Sequence, residues 1–328
     1  MKLPSTSLRS VFAAAVALAL VGVGLAGCGG GSSGDEGPSR QMQMVTVNWI
    51  EGMAMTYMQE AILEDSLDME VEVNEVQGGG IAFSSVAQGD ADFFNEAWLP
   101  TTHDDPWKKQ KDRLQKLGYT YKGTSAGLAV PAYVEVDSMP DLAEYREGLS
   151  GQVNGIEPGA NVNDQTRRTL ERYGLNDQFE VAAASGPATW QALKTAVDNQ
   201  QPIVVTAWKP HWKWSVYDLK YIDGAHTGHN IDIWGEAEDI FTIVGDDFAD
   251  KFPREVVCFL KEFEANDQQV GSLMDAFRNR GDTSKREAAQ QWIQEHPDDV
   301  NQWMQQTREC AASSEPIETL PDDATFSS

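Results

Sequence analysis

Basic residues are scarce in this chain: 25 lysines and arginines stand against 51 aspartates and glutamates in 328 residues, a formal charge of −26 at pH 7. A nucleic-acid partner is excluded on that balance, because polyanion binding draws its affinity from neutralising phosphates. So acidic a surface suits a high-salt medium, where screening relieves self-repulsion. Cysteine is limited to three residues and histidine to five, which leaves few candidates for thiol or imidazole catalysis. The Gly78-Gly79-Gly80 run lacks the Lys-Ser/Thr of a phosphate loop, no Gly-x-Gly-x-x-Gly follows a strand, and no Gly-x-Ser-x-Gly marks a serine nucleophile. No cofactor is expected. Beyond residue 25 no apolar run approaches the length needed to span a bilayer.

The one long apolar run lies at the start. Lys2 and Arg9 precede about fifteen apolar or small residues from Val11 to Leu25, the pattern of a secretory signal. The run ends in Leu25-Ala26-Gly27-Cys28, which resembles a lipobox. That resemblance implies a signal peptide over 1–27, lipidation of Cys28, and a membrane relation of anchoring rather than spanning. Residues 28–43 then read as a lipidated cysteine and a Gly/Ser-rich tether. Removing the signal would bring the formal charge to about −28.

The rest is long enough for two lobes. Residues 44–50 (MVTVNWI) and 69–76 (MEVEVNEV) alternate as strands, with a helix near 53–65 between them. A short helix to residue 88 and a strand over 91–97 complete a βαβαβ rhythm. A polar helix is expected over 106–117 and a strand-like run over 127–134. The rhythm then restarts: strand 152–156, helix 163–173, strand 179–184, helix 188–199, strand 202–207. From residue 253 onward the pattern is helical, at 254–264, 270–278, 285–295 and 298–309. The fold class is therefore α/β with two lobes and a ligand cleft between them. Lobe 1 is assigned to 44–132 plus 241–315, lobe 2 to 133–240, and an acidic tail to 316–328.

Three of the ten tryptophans, Trp49, Trp98 and Trp208, fall at the ends of predicted strands, where open α/β sheets bind ligands. Two come from one lobe and one from the other, so they could box a cation. A quaternary ammonium has no N–H to donate, and aromatic faces select it by cation–π attraction while its methyl groups shed water.

Here the residues also carry a family resemblance. Val47-Asn48-Trp49-Ile50-Glu51, Ala97-Trp98-Leu99-Pro100-Thr101-Thr102-His103, Gly155-Ile156-Glu157-Pro158-Gly159-Ala160-Asn161 and Ala207-Trp208-Lys209-Pro210-His211-Trp212 resemble the motifs of glycine-betaine-binding proteins of ABC importers. The resemblance covers most of residues 44–310 and implies the two-lobed periplasmic-binding-protein fold, type II. It implies that Trp49, Trp98 and Trp208 form a cage for the ammonium. By the same carry-over His103 contacts the ligand carboxylate, and the backbone amides of Asn161 and Val162 hold it. That last assignment has a physical reason, since amides at a helix start bind anions. Asn161 stands where some members have glycine.

The expected ligand is glycine betaine. Choline is the rival, with Glu51 as an acceptor for its hydroxyl; His103 and the two amides favour a carboxylate. The expected partners are a membrane permease with its ATPase subunit, the protein itself being a monomer on the extracytoplasmic side. Two other classes stand as alternatives: an enzyme acting on choline-like substrates, for which no activated nucleophile or base is found, and a lipid-anchored scaffold whose tryptophans are all core.

His211, in a turn after Pro210, reads as ordering the loop that presents Trp208. His226 and His229, with Asp232 beyond, read as a surface loop, and no metal site is expected. Cys258 and Cys310 can form one disulfide in an oxidising compartment or stay as two buried thiols; spacing does not decide.

Overall fold

The computed structural model describes residues 37–324; Cys28 and the signal segment lie outside the described residues. One mixed sheet organises the chain, in the order β2-β1-β3-β9-β4-β7-β5-β6, with β8 also paired to β4.

The first half of the sheet is built from β1 (Gln41–Val47), β2 (Glu70–Val76) and β3 (Phe93–Leu99), with α1 (Ile50–Leu67) and α2 (Gly79–Gln88) as connections. β2 lies at the edge, parallel to β1, and its acidic residues face outward while its valines are half buried. Charge on an edge strand discourages pairing with another chain. β3 is buried along its whole length, FFNEAWL, as a strand covered on both faces should be. Its two polar residues are unusual there. Asn95 is satisfied by Gln59 at 2.7 Å and by Thr56 at 3.1 Å.

After α3 (Asp104–Gln110) and a short 3-10 turn, the 18-residue β4 (Leu114–Pro131) joins the two halves. Residues 114–124 pair with β9 (Glu238–Gly245), and residues 125–131 pair with β7 (Val205–Lys209) and β8 (Leu219–His226). The helix expected over 106–117 therefore ends early. Leu114 and Leu117 have helical spacing, but both are buried in β4, where the ladder to β9 outweighs local periodicity.

The second half adds β5 (Gln152–Asn154), α4 (Asn161–Arg172), β6 (Glu180–Ala182), α5 (Gly186–Asp198), and the short helices α6 (Lys213–Val216) and α7 (Ile231–Trp234). α4 begins at Asn161, two residues earlier than expected, with Ala160 as its N-cap. Asn161 and Val162 thus occupy its first turn rather than preceding it. β7 likewise runs on to Lys209, so Trp208 lies within the strand.

Past β9 the chain is helical: α8 (Phe248–Lys251), α9 (Arg254–Glu262), α10 (Asp267–Asn279), α11 (Lys285–Glu295) and α12 (Pro297–Ala312). These pack back on α1 and on one another. Cys258 on α9 and Cys310 on α12 are disulfide-bonded, with Cα atoms 5.7 Å apart. The following segment runs along β4, where Leu320 donates its N–H to the Lys116 carbonyl at 2.7 Å. No helix among the described residues is long and apolar enough to cross a membrane.

Candidate functional site

Where the two halves meet, Trp49, Trp98 and His103 from the first face Asn161, Val162 and Trp208 from the second across one cavity. Its lining is mainly apolar. Thr102, Ala126, Ile156, Ala160 and Gln165 complete the wall.

Each indole is held by a different local device. Trp49 is the N-cap residue of α1, two positions after β1 ends. Gly52, one turn into that helix, leaves room for it: a Cβ there would lie 2.6 Å from Val47 Cγ2 and 3.1 Å from Trp49 Nε1. Trp98 is the penultimate residue of β3. Both indole N–H groups donate to the same oxygen, Glu96 Oε2, at 3.3 Å from Trp49 and 3.1 Å from Trp98. One buried carboxylate therefore orients two rings by their edges.

Glu96 is fully buried, and that burial holds its carboxyl up at about 7; the Trp98 and Trp49 N–H groups pull the other way. Glu51, the second residue of α1, faces it. Burial first and the neighbouring Glu96 charge second hold Glu51 well above the usual carboxylate range. Glu51 does not line the cavity but lies behind the cage, with its carboxyl oxygens outside full hydrogen-bond geometry.

Trp208 is braced from behind by Trp190, at 5.5 Å between ring centroids, and by the edge of His211 at 4.8 Å. Lys213 Nζ sits 4.2 Å from the Trp208 centroid and 4.3 Å from that of Trp190. Complete burial holds this amine well below its ordinary basicity. His211 takes the supporting position the turn suggested: its Nδ1 accepts from Lys213 N at 3.1 Å, and it does not line the cavity.

His103 is 2% exposed, and burial pushes its imidazole down to about 3. Its Nδ1 accepts the Trp98 backbone N–H at 3.0 Å, which leaves the ring proton on Nε2. A Cβ on Gly79 would meet that Nε2 at 2.3 Å, so glycine at the start of α2 makes the ring position possible. Opposite, Asn161 and Val162 stand in the first turn of α4, where amide N–H groups lack the i−4 partner of a helix interior. Asn161 Nδ2 donates to the Thr102 carbonyl, tying α4 to the loop after β3. Glu238 fixes that loop by accepting from Thr101 N and Thr102 N, each at 2.6 Å.

Two backbones also approach closely beside the cavity. A Cβ on Gly78 would lie 2.5 Å from the Gly159 carbonyl oxygen, and one on Gly159 2.5 Å from that of Gln77.

The sequence reading missed Glu96, the group that joins two of the three indoles. Its signal was present: a carboxylate inside an otherwise apolar strand two residues before Trp98. Gln165 was missed too, and one helical turn from Asn161 was the available hint.

Two α/β halves joined through β4 and β9, with an indole-lined cavity between them, define a solute-binding protein of the type II periplasmic-binding-protein fold. The family described as the substrate-binding domain of ABC-type glycine betaine transport systems matches residues 41–295, and the chain belongs to it. A glycine betaine/carnitine transport binding protein, GbuC, of Listeria monocytogenes is 30% identical over 187 residues, 55% of this chain and 60% of that protein. Lactococcal OpuAC, solved closed with glycine betaine, is 29% identical with a TM-score of 0.71, covering 81% of this chain and all of that one. A choline-binding protein solved with choline shares the fold at 21% identity and a TM-score of 0.71, over 83% of this chain and 98% of that one.

Proposed function

We propose that this protein captures glycine betaine outside the cytoplasm and delivers it to a membrane permease driven by an ATPase subunit. The observation that carries the reading is one cavity lined by three indoles from both halves together with His103 and the first turn of α4. The Glu96 carboxylate stands behind two of the indoles, and in this reading His103 Nε2 and the α4 amides supply N–H donors. An ammonium suits the indoles through cation–π attraction of about 0.5–2 kcal/mol per ring. A carboxylate suits the donors.

The lobes of this reading are 44–132 with 241–315 and 133–240, with residues 125–131 of β4 pairing across the boundary to β7 and β8. Ligand contacts drawn from both favour the closed arrangement, because only closure makes them all at once. Among the described residues, 316–324 do not line the cavity. The chain works as a monomer and a binder, not an enzyme, tethered by lipid on Cys28. Choline is the second reading. It keeps the cation but has no charge for the His103 end, and Glu51, set behind the cage wall, is poorly placed to receive its hydroxyl.

Alanine replacements of Trp49, Trp98 and Trp208, each followed by calorimetric titration with glycine betaine, test the cage. Each should cost about 1–3 kcal/mol of binding from lost cation–π attraction and lost burial. Unchanged affinity in any one variant removes that residue from the cage.

A further inference from the structure

Asp223, His226 and His229 bring three metal-ligating side chains together at the tip of β8, with one donor atom from each within 4.8 Å of the others. We propose that they form a site for a borderline divalent transition cation of the zinc class, bound through two imidazoles, one carboxylate and water. Donors around a tetrahedral zinc with bonds of 2.0–2.1 Å stand about 3.3 Å apart. Here Asp223 Oδ1 lies 3.2 Å from His229 Nδ1 and 4.0 Å from His226 Nε2, so small rotations of the exposed Asp223 and the half-buried imidazoles suffice. Two imidazoles select this class over calcium and magnesium, which take oxygen ligands.

The surroundings also fit. His226 Nδ1 lies 2.7 Å from the Thr227 carbonyl. A proton donated there leaves Nε2 as the free donor, the arrangement usual for a metal-bound histidine. Tyr221 stacks on the His226 ring at 5.1 Å. The loop is tied on both sides: Thr227 N donates to the Ala126 carbonyl at 2.9 Å, and Gly228 N to that of Gly235 at 2.7 Å. Asn230 Nδ2 donates to the Gly224 carbonyl. Gly224 and Gly228, both at φ +83°, allow the reversals that bring His229 back over Asp223. Asp232, the acid nearest in sequence beyond the two histidines, is engaged by Arg172 and takes no part.

The test is titration of the tag-free protein with Zn²⁺ by calorimetry and with Co²⁺ by visible absorption. One saturable equivalent is expected, with a cobalt spectrum of low coordination number. Asp223→Asn should weaken binding by roughly tenfold or more, and the double variant His226→Ala/His229→Ala should abolish it. Asp232→Asn should leave it unchanged. Circular dichroism and a cooperative melt check that the variants fold. No saturable binding by the parent protein, or binding that survives in the folded double variant, overturns the site.

Discussion

The backbone N–H of Trp98 donates to Nδ1 of His103 at 3.0 Å, while His103 N donates back to the Trp98 carbonyl at 2.9 Å. This reciprocal pair ties two residues of the cavity wall together within six residues. It fixes the imidazole tautomer, and burial keeps the ring neutral throughout the physiological range. In the proposed reading His103 would offer Nε2–H as a donor without adding a buried positive charge.

His103→Ala should weaken glycine betaine by about 1.5–3 kcal/mol, the range for a hydrogen bond to a charged group, and choline by less. Competition titrations with both ligands check this. Equal losses would remove the carboxylate role of His103.

Glu96 has a pH signature. Its carboxyl is held near 7, chiefly by burial, and a bound cation favours its ionised form. By linkage, the ligand should bind more tightly as pH rises from about 6 to about 8, with proton release on binding near neutrality. Glycine betaine stays zwitterionic over that range, and His103 does not titrate in it. Calorimetry in two buffers of different ionisation enthalpy measures the proton release. In Glu96→Gln the dependence should flatten; an unchanged profile in that variant would place the titrating group elsewhere.

The close approach of Gly78 and Gly159 offers a handle on closure. A methyl group on Gly159 would meet the Gln77 carbonyl, a contact that closure of the two lobes makes in the proposed reading. Gly159→Ala should cost about 1–3 kcal/mol of ligand binding, the scale of overpacking, while the melting temperature without ligand stays the same. Full affinity in this variant would mean that ligand capture does not need the closed contact.

Much of this site was legible before any coordinates. The three tryptophans stood out because strand periodicity placed them at element ends, and the WLPTTH and WKPHW segments carried specific residues on either side. What sequence did not reveal depended on long-range partners. Leu114 and Leu117 keep helical spacing but enter β4, because β9, more than 100 residues away, completes the ladder. Glu96 looked like one acid among 51 until its position beneath two indole N–H groups was seen. Asp223 joined His226 and His229 only through the turn at the end of β8, whereas the reading in sequence looked forward to Asp232. Glu51, next to Trp49 in its motif, looked like a cavity residue, yet the first turn of α1 carries it behind the cage.

The most direct test is a calorimetric titration of the purified protein with glycine betaine and then with choline, at low and high salt. The account predicts one saturable betaine site, with choline much weaker under both conditions. No binding of either ligand would contradict the cation cage itself and return Trp49, Trp98 and Trp208 to a purely structural role.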